Sequence, residues 1–439
     1  MIFSSINFII FWLISLVFTH KLRLNVPIAF GIIGLIFYSY QGYINLLSLL
    51  LVFLTTYIYF LLNRYLIAFI FLTLLPLFLF KYSKIINYLG IENEYLIFFQ
   101  NHPIPPGLSF TTFSAIALIL VIKNKSLEKI NFKKILGYLF FFPQLIAGPI
   151  VLPKYLIPQL ENFPKITYDN FKKGLFIFTV GICIKVILAD SLALYIDPIL
   201  SDIKSSSINE IIISIILFSQ QIFFDFNGYT LMAIGIAFAF GINLPENFKA
   251  PYLATSISDF WRKWHITLSN WIRDFVYIPL GGSHCSVSRH YINIVFAMIL
   301  SGIWHGYGFA FLLWGLFHGL LIILEKMINF NISNRTFKIF YTYLTVTILW
   351  SLFRINSYDD WMIILSKDFN LVLFDFKIYL IFLTLFIFNF FQKFLILDKI
   401  ILIYNSLNKK ISITVSIVII VFCCIVSSGT SQKFIYFNF

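Results

Sequence analysis

Charge is what this chain has little of. Asp, Glu, Lys and Arg make up 12% of its 439 residues, against about 25% in an ordinary soluble protein. Leu24 to Asn63 contains none of them, and neither does His290 to Leu324. The first of these runs is long enough, at ~1.5 Å per residue, for two ~30 Å crossings. Ser39-Tyr40-Gln41-Gly42 supplies the turn between them. Such runs recur from end to end, which excludes the buried helices of a soluble protein. The fold class is an all-α polytopic membrane protein. Cysteine is also scarce. Cys183, Cys285, Cys423 and Cys424 lack metal-ligand spacing, and the last two lie inside an apolar run. No disulfide and no metal site are expected. The N-terminus has no basic segment before its apolar run and no small-x-small site, so it does not read as a cleaved signal peptide. No internal repeat, soluble domain or serine-hydrolase motif is found.

Basic residues outnumber acidic ones, 32 to 19. The excess sits mostly in loops, where anionic lipid rather than nucleic acid is the expected partner. Placing the basic clusters in the cytoplasm and Glu92 to Glu94, Asp197 to Glu210 and Asp359-Asp360 outside predicts crossings near 2–19, 24–38, 44–62, 65–80, 105–122, 174–196, 211–244, 290–304, 308–324, 339–353, 377–392 and 411–432. Both termini then lie outside. Lys81 and Lys84 disagree with that scheme. Pro143, Gly148, Pro149 and Pro153 break the apolar segment 135–153, which should enter and leave from the cytoplasm, surrounded by protein or a wet cavity. The 211–244 segment is too long for one simple crossing, and Asp225, Asn227 and Gly228 are expected to interrupt it.

Residues 256–277 read as a helix lying in the membrane interface. Phe260, Trp261, Trp264, Leu268, Trp271, Ile272 and Phe275 fall on one stripe, with Arg262, Lys263, Ser269, Asn270, Arg273 and Asp274 opposite. His265 sits on the border. A surface anchor accounts for the stripe but not for the histidine. His305 lies in the uncharged 290–324 run, beside Trp304 and among Gly302, Gly306 and Gly308, which suit close helix approach or a hairpin apex. It is either an imidazole bonded to a carbonyl or a general base. By helical phase His318 does not share its face and is weighed as structural. Asp225 orients a histidine, receives a basic partner, or holds an interrupted helix open.

"FFPQLIAGPI" (141–150), the block from "DFNGYTLMAIG" to "YIPLGG" (225–282), "SGIWHGYGFAFLLWGLFHG" (301–319) and the terminal "FIYFNF" (434–439) together resemble the membrane-bound O-acyltransferase family, in its bacterial alginate and peptidoglycan O-acetyltransferase branch. The resemblance implies about 11–13 transmembrane helices around a central funnel, with re-entrant and interfacial helices. It also implies a single acyltransferase domain over 1–439, with its core motifs in 135–325 and a C-terminal span 411–432 carrying the tail 433–439 outside. The family's "WHG" histidine maps onto His305 as the catalytic residue. The second family histidine, in "WHxSLSxW", maps onto His265 at the cytoplasmic interface, with Thr267 in place of Ser. Asp225, Asn270 and Trp304 are supporting residues, and Arg262, Lys263 and Arg273 are candidates for the donor's phosphates. Tyr436 in the tail matches a tyrosine proposed as an acyl carrier in the teichoic-acid D-alanylation system. An aryl ester there is activated relative to a sugar ester.

The implied reaction takes acetyl from acetyl-CoA, or another acyl thioester, across the bacterial cytoplasmic (inner) membrane to a cell-envelope polysaccharide. No cofactor is bound, and an extracytoplasmic esterase-like partner completes the transfer. Peptidoglycan is the first expectation for the acceptor, then alginate or another exopolysaccharide, then D-alanyl transfer to teichoic acid. A flippase or channel, or a scaffold without chemistry of its own, is the rival.

Overall fold

The structure is a computed structural model that describes residues 2–21, 25–88, 94–127, 130–328, 333–355, 357–368, 391–429 and 435. Helices are its regular elements, with no strand among the described residues. Seven are long and apolar enough to cross a membrane, and three shorter apolar helices, Ile6–Lys21, Val26–Ser39 and Leu108–Lys123, accompany them. Helices occupy each predicted crossing except 377–392, which lies for the most part outside the described residues.

The long Ile208–Ala239 helix is the central column. Ser207 caps it with Glu210 in a reciprocal capping box, satisfying backbone N–H groups that would otherwise be orphaned. It runs unbroken through Asp225, Asn227 and Gly228, against the predicted interruption. The reason is a close crossing with Tyr168–Cys183. A Cβ on Gly228 would lie 2.8 Å from the Gly181 carbonyl oxygen, and one on Gly235 would lie 2.6 Å from that of Gly174. Gly228 therefore marks a helix contact rather than a break. Tyr168–Cys183 continues through a π-helical stretch, Ile184–Ala189, into Asp190–Ser201. Lys185, on the π stretch, is thereby set against Asp225, 2.7 Å away. Pairing, not helix opening, is how this chain accommodates its deep acid.

Residues 138–151 are buried throughout and, beyond the end of the Phe132–Leu139 helix, form only a short helix, Phe142–Leu145. The irregular backbone there is met by protein groups, as the prolines required. Tyr138 Oη donates to Val151 O at 2.7 Å, and Gln144 Nε2 donates to Tyr138 O at 2.8 Å.

The predicted interfacial helix is two helices, Ile257–Lys263 and Ile266–Ile272, followed by a π turn, Arg273–Tyr277. The break falls on His265, whose φ of 42° lies in the left-handed region. Its aromatic stripe faces protein rather than lipid. Trp264 is fully buried among Phe223, Phe248, Tyr252, Phe260 and Trp350, and Trp271 stacks on Phe113 at 4.0 Å. Val287–His305 and Phe309–Met327 form the expected hairpin, turned at Gly308 with φ 120°. A Cβ on Gly302 would lie 2.2 Å from Phe311 O, so only glycine permits that approach.

Candidate functional site

The helix break and the hairpin apex meet at one indole. Trp304 and His305 end the Val287–His305 helix. The His305 ring lies 4.7 Å from the Trp304 ring, and the His265 ring lies 6.0 Å from it. Both histidines are buried, 2% and 0% exposed. His265 was expected at a surface border. The break in the 256–277 segment instead turns its ring inward against Phe226, 4.6 Å away, and Phe110.

Asn247 holds that bend in place. Its backbone O accepts from Ile266 N at 3.0 Å, and its side-chain oxygen accepts from the Thr267 hydroxyl at 2.6 Å. The Thr267 oxygen in turn accepts from Ile150 N at 3.0 Å. The hydroxyl is what this position uses, and Thr supplies it as Ser would. From the far side, both Glu325 carboxylate oxygens accept from Ile257 N, at 2.9 and 3.0 Å.

His305 is enclosed by Trp304, Trp314 and Phe353. His318, expected to stand apart, shares the Trp314 ring with it, at 4.8 Å against 5.3 Å for His305. The turn at Gly306 to Gly308 resets helical phase, so counting 100° per residue across it misleads. Trp261 Nε1 donates to His318 Nδ1 at 3.2 Å. Around these rings, several buried polar atoms have no hydrogen-bond partner among the described residues: both ring nitrogens of His265, Trp304 Nε1, Trp314 Nε1, Ser301 Oγ and His318 Nε2. Buried polar atoms are nearly always paired, so those around the two histidines are open to a bound polar group.

A cavity of about 200 Å³ lies beside the site, with Trp261, Leu268, Arg273, Tyr277, Ser301 and Lys326 among its lining. Ser301 is one turn before His305 on the same helix. Of the three basic residues assigned to the donor, Arg273 alone lines this cavity. Lys263 pairs with Asp259 at 2.7 Å, and Arg262 is exposed, with Nε donating to Ser258 O. Burial pushes the Asp259 carboxyl up, but the Lys263 and Thr255 hydrogen bonds outweigh it and hold the group below its ordinary range. Asn270 is half-buried on Ile266–Ile272.

Asp225 receives a basic partner, the second of its predicted alternatives. Lys185 bridges it to Asp190, giving a buried group of one ammonium and two carboxylates. Asp225 also accepts from Ile435 N at 2.6 Å, and Ile435 is buried. That residue of the tail therefore sits inside the bundle rather than beyond it; Tyr436 lies outside the described residues. Lys185, Asp190 and Asn247 were missed in the sequence. The first two carried a signal: opposite charges five residues apart within a predicted crossing, where each alone is costly.

The sequence profile of the membrane-bound O-acyltransferase (MBOAT) family matches residues 32–359, more than half of the chain. The chain is 34% identical to the probable alginate O-acetylase AlgI of Pseudomonas aeruginosa over 308 residues, 67% of this chain and 58% of that protein. It is 42% identical to the peptidoglycan O-acetyltransferase of Helicobacter pylori over 191 residues, 43% of this chain and 36% of that one. With the teichoic acid D-alanyltransferase of Bacillus subtilis it shares 29% over 228 residues, 49% and 57%. The chain thus spans between 36% and 58% of the length of these relatives. With matched motifs, an all-helical membrane architecture and a profile match of this extent, the chain belongs to the membrane-bound O-acyltransferase family.

Proposed function

We propose that the protein is an O-acetyltransferase of the bacterial inner membrane, taking acetyl from a cytoplasmic thioester donor, acetyl-CoA, for O-acetylation of a cell-envelope polysaccharide. The observation that carries the reading is the pair of buried imidazoles on one indole, ringed by unpaired polar atoms. Such atoms suit a bound hydroxyl and thioester carbonyl, and an apolar surround strengthens each contact they make. His305 is the general base. It takes the proton of an incoming hydroxyl as that oxygen attacks the thioester carbonyl carbon. The C–O bond forms, the C–S bond breaks, and the departing sulfur takes the proton back from the imidazole. His265 positions the donor, with Trp304 between the two rings and Asn270 in support. Arg273 on the cavity rim meets the donor's phosphates, with Arg262 and Lys263 contributing charge nearby.

Access is part of the mechanism. His305 is closed in by three aromatic rings, and the cavity lining reaches Ser301, one turn before it, so transfer requires one of those rings to swing aside. The incoming hydroxyl is that of Tyr436. What supports this relay is the docking of Ile435 on Asp225, next in the chain to Phe226, which packs on His265. The identity with a peptidoglycan O-acetyltransferase favours peptidoglycan as final acceptor, reached through an extracytoplasmic partner.

The test is turnover of radiolabelled acetyl-CoA by purified protein. His305→Gln should lower it by ~10²–10⁴-fold, at an unchanged unfolding temperature. Full activity in that variant would remove the base from the scheme. Tyr436→Phe should abolish acetyl transfer onward to polysaccharide; wild-type acetylation in that variant would end the relay and leave His305 standing.

A further inference from the structure

Three lysines are buried among the described residues: Lys81, Lys134 and Lys185. Lys134 pairs with Glu161 at 2.6 Å, and Lys185 pairs with Asp190 and Asp225. Lys81, 3% exposed on the Leu66–Tyr88 helix, has no carboxylate within ion-pair distance among the described residues. Its Nζ donates instead to the carbonyl oxygen of Trp304, the peptide group that joins Trp304 to His305, and lies 5.9 Å from the Trp304 ring centroid. Its clash with the predicted topology disappears: this ammonium is inside the protein, so it says nothing about which side a loop occupies.

Capping the helix end does not require a cation. The neighbouring Tyr82 hydroxyl donates to the carbonyl of Ile303, one residue earlier, with no charge at all. A buried ammonium with no carboxylate beside it among the described residues is costly, because burial disfavours the charged form, and the indole face and the negative end of the helix offset part of that. An ammonium has three donors, and one is used on Trp304 O.

We propose that Lys81 is the cation of the acyl-transfer site, supplying positive charge where negative charge develops beside His305. The proposal rests on the acyl-transfer reading above. As the hydroxyl oxygen bonds to the thioester carbon, the carbonyl π pair moves onto its oxygen and His305 takes the proton. When that pair returns, the C–S bond breaks and the charge passes to sulfur, which is then protonated by the imidazolium. Lys81 opposes the charge at both stages without exchanging a proton. The negative charge it can oppose arrives with the reaction.

Gln at this position keeps an N–H for Trp304 O but has no charge; Arg keeps both. The experiment compares kcat and KM for acetyl-CoA among wild type, Lys81→Gln, Lys81→Arg and Lys81→Met, with His305→Gln alongside and unfolding temperatures measured for all. Removal of one charge-stabilising donor costs ~10²–10³-fold in kcat. Lys81→Gln should show that loss with KM and unfolding temperature near wild type, and Lys81→Arg should recover most of it. Lys81→Gln with wild-type kcat would reduce Lys81 to a helix cap and overturn the proposal, even if Lys81→Met unfolds. If wild type and His305→Gln turn over equally slowly, the acyl-transfer reading fails and this one falls with it. Turnover that needs His305 but tolerates Lys81→Gln sinks the Lys81 role alone.

Discussion

Replacing Lys185 by Met tests how the bundle tolerates charge in its interior. Lys185, Asp190 and Asp225 are 3%, 5% and 1% exposed, and the Lys185–Asp225 contact is 2.7 Å. Met fills nearly the same space, so little is lost in packing, but two carboxylates are left buried without their cation. Removing one partner of such a group costs about 3–5 kcal/mol. Asp225→Asn acts differently: Lys185 and Asp190 remain as a balanced pair, and the amide oxygen still accepts from Ile435 N, so the cost should stay near 1 kcal/mol. With an unfolding entropy of ~2.1 cal/mol/K per residue over 439 residues, Lys185→Met should unfold about 3–5 °C below wild type in detergent, and Asp225→Asn about 1 °C below. Adding Asp190→Asn and Asp225→Asn to Lys185→Met should recover most of the loss. The reasoning is refuted if Lys185→Met unfolds at the wild-type temperature, or if Asp225→Asn is as damaging.

Two further predictions concern the bend beneath His265. Its φ of 42° suits glycine better than any residue with a Cβ, so His265→Gly should be more stable than His265→Ala by about 1 kcal/mol, the reverse of the usual helical order; thermal unfolding of the two variants decides it, while both lose acetyl transfer. Thr267→Ser keeps the oxygen that accepts from Ile150 N and should behave as wild type, whereas Thr267→Val leaves that buried N–H unpaired at a cost of about 1–3 kcal/mol; equal unfolding temperatures for Ser and Val would contradict the bridge.

Much of the molecule was legible in one dimension because lipid imposes simple conditions. Helix runs such as 43–62 and 309–327 follow from length and hydropathy alone, and the prolines of 143–153 announced broken backbone. Phase arguments were reliable only while a helix continued. They misplaced His318, beyond the turn at Gly308, and they spread 256–277 along a single surface helix because nothing local marks His265 for a left-handed φ. Asn247, which fixes that bend, lies 18 residues earlier and carries no signature of its own.

Composition and motif order were therefore enough to determine a charge-poor, many-helix membrane protein and to single out His265, His305 and Asp225. Solvent alone dictates the first; a polar group in an apolar run reveals His305 and Asp225, and a motif at the edge of an aromatic stripe reveals His265. Which groups touch which was decided in three dimensions. Glycine-to-glycine crossings bring Lys185 to Asp225, a turn brings His305 onto Trp314, and a helix from the first quarter of the chain delivers Lys81 to the carbonyl beside His305. Lys81 and Trp304 are 223 residues apart, and only packing, which sequence spacing does not encode, sets the distance between such partners.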